Sequence, residues 1–356
     1  MEIEKIDPNF KSMAATETKD GKAFYTIPCE KFDLYGIFFD KNEDRFLRMP
    51  ADVAKSVSAG VAGLSKNTTG GRLRFSTDAN LIEIYVTYDS FCRMSHMPLL
   101  GSSGFVLMEE NDEGNRVKVF RPAYTDEKGF TQALALRGEK MRDYTLYFPL
   151  YNNVTSLKIA FNEEAKVSSG RKYRDIKPIL YYGSSITQGG CASRADNCYQ
   201  ALISKWNDID YKILGFSGSA RAETEMMEYL PTIDCSVFVC DYDHNALGAQ
   251  YLKNTHYALY ETYRKVRPDT PILFISKPDV EYDVEGKERE KIIRETWKKA
   301  QAAGDKNVYF LPGRLLFGKK DRENCTVDSC HPNDLGFYRM AKKIYKKLIE
   351  IDEIYR

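Results

Sequence analysis

The chain has 356 residues, with 52 lysines and arginines against 51 aspartates and glutamates. That balance argues against a general nucleic-acid binder and against attraction to a strongly anionic membrane. No apolar run approaches the roughly 18 residues of a membrane span, and the length predicts two domains.

The first residues, Met1 to Pro8, lack the apolar core and small-residue cleavage site of a secretory signal. The eight cysteines are scattered, with no Cys-x-x-Cys. Cys198, Cys235 and Cys240 lie in or near apolar runs and read as small core residues. The expectation is a reducing cytoplasm with free thiols. The Asn-x-Thr triplets at Asn67, Asn153 and Asn324 then carry no glycan.

From Ala23 to Phe161 the pattern has mostly period two. Leu73–Phe75, Leu81–Val86, Arg116–Phe120, Tyr144–Phe148 and Leu157–Phe161 read as half-buried strands. Gly70-Gly71, the stretch Asn111 to Gly114, and Asn152-Asn153 read as turns between them. Many short strands at this spacing predict an antiparallel β-sandwich, jelly-roll-like, over residues 1–170. Phe32 to Gly36 reads as a strand and turn, and Ala51 to Leu64 is helical or irregular. Met94 to Pro98, just before Gly101-Ser102-Ser103-Gly104, is a loop. Its His96 is one of only four histidines. A structural role for that ring is the commoner one, but a loop beside a site would make it a substrate contact.

Glu163 to Lys177 is polar and basic, and both composition and period change across it. It reads as the linker, with the second domain over 178–356. There the grammar becomes strand, helix, strand. Ile179–Tyr182, Tyr211–Phe216, Ser236–Cys240, Pro271–Ile275 and Val308–Leu311 suit buried parallel strands. Helical patterns cover Asn197 to Trp206, Tyr251 to Val266, Glu288 to Ala302 and Asp334 to about Tyr355. Five strands alternating with helices predict an α/β, flavodoxin-like three-layer domain with a five-stranded parallel sheet.

Open sheets of this kind hold their sites beyond the carboxyl ends of the strands. Polar residues gather at those ends: Gly183-Ser184-Ser185; Ser217-Gly218-Ser219; Asp241 to Asn245; Ser276 to Asp279; and, after a loop, Asp328 to Asn333. Acyl transfer needs a nucleophile, a base, a group to orient the base, and donors for the oxyanion. Ser185 is the candidate nucleophile and His331 the base. Asp328, three residues earlier, can hold the ring in one tautomer. The N–H groups of Ser185 and Gly218 and the side-chain amide of Asn245 are candidate oxyanion donors. Each piece has a plainer reading: a polar βα turn at Ser185 and Gly218, a helix cap at Asn245, and a helix start capped by Asn333 at Asp328–His331. Their joint occurrence in this order favours the chemical one.

By these residues the second half resembles the SGNH, or GDSL-type, serine hydrolases. In that family four blocks carry Ser, Gly, Asn and His, with an Asp three before the His. The resemblance implies ester or thioester hydrolysis through an acyl-enzyme, with no metal or other cofactor. Two departures stand out: Ser184 replaces the usual aspartate of the first block, and Asp241 to Asn245 departs from the usual Gly-x-Asn-Asp of the third. The whole chain also looks like a bacterial subgroup in which a β-sandwich bearing a Gly-x-Asp-Leu-Tyr motif precedes the hydrolase. Gly104 to Met108 is the expected counterpart of that motif, lacking its Asp and Tyr.

Because some related two-domain proteins are carbohydrate esterases, the leading expectation is hydrolysis of short acyl esters, chiefly acetyl, on a sugar. Arg194, Asp243, His244, Lys277 and His96 are the candidate substrate-binding residues. The expected partner is a small ester or acylated oligosaccharide, with no nucleic acid and no membrane; a homo-oligomer is compatible with the reading. The alternatives are a thioesterase or lysophospholipase with an apolar acyl channel, and a catalytically weak glycan-binding protein. A zinc site is not expected, since His244, His256 and His331 show no ligand spacing with the cysteines.

Overall fold

The computed structural model describes residues 17–111, 114–278 and 283–356. The expectations for Met1 to Pro8, for Asp112 and Glu113 of one turn, and for Asp279 fall outside them. In chain order the amino-terminal strands are β1 (Glu17–Lys19), β2 (Lys22–Thr26), β3 (Asp33–Tyr35), β4 (Phe38–Asp40), β5 (Arg45–Leu47), β6 (Arg72–Thr77), β7 (Leu81–Tyr88), β8 (Phe105–Glu109), β9 (Arg116–Phe120), β10 (Gly129–Ala135), β11 (Arg142–Tyr147), β12 (Val154–Asn162) and β13 (Val167–Ser169). They form two antiparallel sheets, ordered β1-β2-β12-β7-β10 and β13-β6-β11-β8-β9, with β3 also on β6 and a separate β4–β5 hairpin. The aromatic richness goes into the inner face of this sandwich. Phe32, Phe75 and Phe161 meet at 5.2–6.3 Å between ring centroids, a spacing at which rings add packing energy beyond their buried area.

Two details differ from the sequence reading. Part of the expected linker, Val167–Ser169, pairs with Thr77–Phe75 and edges the sandwich. Phe105–Glu109 is a central strand between β11 and β9. All five of its residues are buried, so period-two patterning could not reveal it.

The second half holds the parallel strands β14 (Ile179–Gly183), β15 (Tyr211–Gly215), β16 (Val237–Asp241), β17 (Ile272–Ile275) and β18 (Val308–Leu311). Their order, β15-β14-β16-β17-β18, is the doubly wound arrangement expected from the sequence. Both faces are covered, which explains the continuous apolar runs. Ile179, Tyr181, Val237, Val239, Leu273 and Ile275 face one core. Leu180, Tyr182, Phe238, Cys240, Ile272 and Phe274 face the other.

The helices are α1 (Ala51–Val57), α2 (Ala59–Leu64), α3 (Leu99–Ser103), α4 (Ser185–Gln188), α5 (Tyr199–Asn207), α6 (Thr224–Tyr229), α7 (Ala249–Val266), α8 (Val284–Ala302) and α9 (Asp334–Ile351). Helix α9 buries Phe337, Met340, Ala341, Ile344 and Leu348 along one face, and the Asn333 side chain caps it by accepting from Gly336 N at 3.1 Å. Such a cap stabilises by about 1 kcal/mol. None of the described helices is long and apolar enough to cross a membrane.

The segment from Arg48 to Gly71 belongs to the sandwich half in sequence but packs on the hydrolase half. Met49, Ala54, Val57 and Val61 join the core beneath β14 and β16. Buried Arg48 donates to the carbonyls of Ile213 and Gly215, at 3.2 and 2.8 Å. The edge where strand-end chemistry is expected is therefore braced from both halves.

Candidate active site

Strand β14 ends at Gly183, where a Cβ would overlap Asp241 Oδ1 and Thr187 Oγ1. Ser184 caps the single-turn helix α4, its hydroxyl accepting from Ile186 N at 3.2 Å. Gly189, at φ +92°, ends that turn in the left-handed region. Between them Ser185 occupies the first helical position, where a backbone N–H has no carbonyl partner within the helix. Its side chain is nearly buried.

Ser185 Oγ lies 2.8 Å from His331 Nε2. On the far side of the ring, His331 Nδ1 lies 2.7 Å from Asp328 Oδ2. An ionised carboxylate only accepts, so Nδ1 carries the proton and Nε2 presents its lone pair to the serine. Burial alone would raise the Asp328 carboxyl. The His331 amide at 2.7 Å, the ring, and the Cys330 amide at 3.1 Å draw it below the usual carboxylate range. The loop closes on itself: Val327 N donates to His331 O at 3.0 Å, and Ser329 takes φ +66°. The capped helix start and the Asp328–His331 contact are both real and adjoin.

The turn after β15 carries Gly218 at φ +68°. A Cβ there would meet nothing within 4 Å, so the backbone faces open space, and its N–H has no partner among the described residues. The neighbouring Ser217 N donates to Gln188 Oε1 at 3.0 Å. Gln188 Nε2 in turn donates to Asn67 Oδ1 at 2.9 Å and to Leu150 O at 3.3 Å. Asn245 ends a 3₁₀ turn after β16, and its Oδ1 is buried without a partner among the described residues. Gln188 and Asn67 were not singled out from sequence. Gln188 follows Ser185 by three residues, the one signal that could have pointed to it.

Asp241 was noted from sequence only as the polar end of its strand. It is buried beneath the Ser185 turn, accepting from Thr187 Oγ1 and, at 3.2 Å, from Tyr199 OH. Burial pushes its carboxyl up to about 8 against these hydrogen bonds. It puts a carboxyl group under the turn whose own aspartate position is Ser184.

The five candidate substrate residues separate. The His96 ring comes from the sandwich loop and lies 5.6 Å, centroid to centroid, from His331. It borders a cleft of about 640 Å³ that Met94, Tyr124, Cys191, Ser193 and Leu335 also line. His244 Nε2 lies 3.0 Å from Cys330 Sγ; burial, then Lys277 and His331, lower its pKa to about 4, so its ring is neutral. Lys277 Nζ is 3.8 Å from an Asp283 oxygen. Asp243 is buried and accepts from Lys277 N at 3.1 Å, a placement that braces the loop. Arg194 holds buried Asp196 in a two-point contact at 3.0 and 3.1 Å.

Residues 176–350 match the GDSL-like Lipase/Acylhydrolase family. Residues 23–167 match GxDLY, the N-terminus of the SGNH hydrolase-type esterases. The chain belongs to this two-domain group and is a carboxylic ester hydrolase of the SGNH/GDSL type. It is similar to a protein from Bacteroides ovatus ATCC 8483 described as a GDSL-like lipase, with 25% identity, TM-score 0.84, and 93% of this chain and 98% of that one covered. It shares its fold with the salicylyl-acyltransferase SsfX3 of a tetracycline biosynthetic pathway, at 14% identity and TM-score 0.72 over 94% of this chain and 98% of that one. It also shares it with an acetyl xylan esterase from the rumen bacterium Butyrivibrio proteoclasticus, at 12% identity and TM-score 0.62 over 94% and 100%. No curated protein matches.

The GxDLY match corrects one expectation. The chain spells Asp33-Leu34-Tyr35, with Lys31 where the motif has glycine. These residues form β3, paired with Arg74, Leu73 and Arg72; Gly104 to Met108 is not the counterpart. The strand-and-turn reading of Phe32 to Gly36 holds, but its Asp-Leu-Tyr triplet was not matched to the motif.

Proposed function

We propose that the protein hydrolyses short acyl esters, chiefly acetyl, of a polar alcohol such as a sugar, with Ser185, His331 and Asp328 as its catalytic triad. The observation that carries this is the unbroken relay from Ser185 Oγ through His331 to Asp328, at 2.8 and 2.7 Å. Ser185 Oγ attacks the ester carbonyl while Nε2 takes its proton, and Asp328 steadies the imidazolium. The N–H groups of Ser185 and Gly218, with the Asn245 amide, receive the oxyanion. A donor of this kind contributes about 10²–10³ in rate. His331 then gives its proton to the departing alcohol. Water repeats the sequence on the acyl-enzyme and releases the acid.

The cleft beside the triad mixes polar groups, His96, Ser193, Asn333 and Asp334, with apolar ones, Met94, Met97, Val327 and Leu335, a lining that can take a polar alcohol beside a short acyl group. His96 would touch that alcohol, and His244 and Lys277 would border it. Arg194 and Asp243 would serve by holding the loops. The sandwich-plus-hydrolase build shared with an acetyl xylan esterase makes acetylated oligosaccharides the first natural substrates to test.

The deciding experiment is hydrolysis of p-nitrophenyl acetate, butyrate and octanoate by wild type and Ser185→Ala. The expected result is preference for acetate and a fall to background in the variant. A preference for octanoate would overturn the short-acyl reading. Robust activity in Ser185→Ala would overturn the assignment of the nucleophile.

A further inference from the structure

One nitrogen of His96, the Cys191 sulfur and one nitrogen of His331 lie within 4.8 Å of one another. The three come from separate parts of the chain: the sandwich loop, the turn following α4, and the loop before α9. Two imidazoles and a thiol make a donor set suited to zinc and other soft or borderline divalent ions. His96 is exposed and Cys191, though only 3% exposed, also lines the open cleft, so an ion approaches through the cleft and past the His96 loop. Bound zinc would bring such donors to about 3.3–3.6 Å from each other, a contraction of at most about 1.5 Å that an exposed loop histidine can make.

The most specific feature is His331. Its Nδ1 is engaged by Asp328 at 2.7 Å. A metal-ligating histidine nearly always hands its other ring nitrogen to a carboxylate in this way, which fixes the ring and raises its basicity. The bond that readies Nε2 to take a proton from Ser185 readies the same lone pair for a metal.

We infer that His96, Cys191 and His331 form an inhibitory site for a thiophilic divalent cation such as Zn²⁺, which competes with Ser185 for His331 Nε2. On binding, the Cys191 thiol loses its proton to solvent and the sulfur joins the ion. His96 gives one ring nitrogen, and His331 gives Nε2 while keeping its Nδ1 proton on Asp328. A solvent water completes the four-coordinate set. No electron is transferred. The serine loses its proton acceptor, so hydrolysis stops until the ion leaves. The ion binding stands on the ligand geometry alone; its inhibitory consequence rests on the triad proposed above.

The test has two independent readouts. Zinc chloride is titrated into the esterase assay in a non-coordinating buffer, and Co²⁺ binding is followed through the thiolate-to-cobalt absorption band, which needs no turnover. The expected results are inhibition reversed by EDTA and a cobalt–thiolate band. His96→Ala and Cys191→Ser should each raise the inhibitory zinc concentration at least about tenfold, and Cys191→Ser should abolish the band. Ser185→Ala should keep the band, because the serine is a competitor and not a ligand. His96 is on an exposed loop, so its variant tests the site even if Cys191→Ser fails to fold. Absence of any cobalt–thiolate band in the wild type would overturn the inference. So would a band that survives Cys191→Ser and vanishes in Cys330→Ser, or zinc inhibition unchanged by both His96→Ala and Cys191→Ser. If no ester is hydrolysed at all, the cobalt spectrum still decides the site, and only the reading of the triad fails.

Discussion

The two loops that meet at the site are held by opposite means. The nucleophile turn is braced from outside. Asp241 lies beneath it, Gln188 ties it to the Gly218 loop and to Asn67, and Thr69 Oγ1 donates to Gln188 O at 2.9 Å. Nearly everything in it is buried. The loop carrying Asp328 and His331 is held from within. Asp328 takes the His331 and Cys330 amides and the His331 ring from within the loop, His244 and Ser185 add one contact each from outside, and the side chains of His331 and Asp328 are 21% and 33% exposed. A buried serine on a single helical turn must be positioned by distant parts of the fold, because no four-residue helix is stable alone. A base on the rim can be positioned by its own aspartate and by the cap of the helix that follows.

This contrast can be broken hardest at its meeting point. His331→Ala should lower kcat by at least about 10⁴-fold with little change in thermal midpoint, measured by p-nitrophenyl acetate kinetics beside a melting scan. A large drop in the midpoint would show that the rim loop is a structural support. Asp328→Asn should lower kcat by about 10³–10⁴-fold, because an amide can hold the ring in the wrong tautomer. A loss below tenfold would mean that the contact serves only the loop.

Gln188→Ala tests the other side. It strips buried Asn67 and Ser217 N of a partner, at about 1–3 kcal/mol for each orphaned group. The expected result is a lowered midpoint together with a kcat loss of about 10–100-fold, since the Gly218 loop loses its tether. Intact kcat in a destabilised variant would separate the tether from catalysis.

The most gradual effect is expected at Asp241, where stability changes step by step with pH. Its folded pKa of about 8 lies above that of an exposed aspartate. The unfolded chain therefore releases this proton first as pH rises. Stability from this group is greatest below about pH 4 and declines up to about pH 8, at no more than about 1.4 kcal/mol per pH unit. Asp241→Asn, which copies the protonated form, should flatten that decline in denaturation curves between pH 5 and 8. An unchanged slope would mean that Thr187 and Tyr199 keep the carboxylate ionised.

What could be read in advance follows the same division. The five parallel strands were visible because burial on both faces leaves each an uninterrupted apolar run. The Asp328–His331 contact was legible because the two are three residues apart, and Ser185 was singled out because it sits at the end of an apolar strand. Residues acting across the fold were not: Gln188 and Asn67 meet over more than a hundred residues, and Asp241 reads as the polar end of a strand. The buried strand Phe105–Glu109 hid its period. Asp33-Leu34-Tyr35 was read as a strand, as it is, but not as the Asp-Leu-Tyr of the motif.

By itself the sequence determined the doubly wound half, the sandwich half and the short-range Asp328–His331 pair, since these depend on periodicity and near neighbours. Only the tertiary structure decided that Arg48 to Gly71 braces the hydrolase edge and that His96 and Cys191 stand beside His331. It also decided that a carboxyl lies under the nucleophile turn. Contacts between distant segments arise from how the layers pack, and no local pattern in the chain records them.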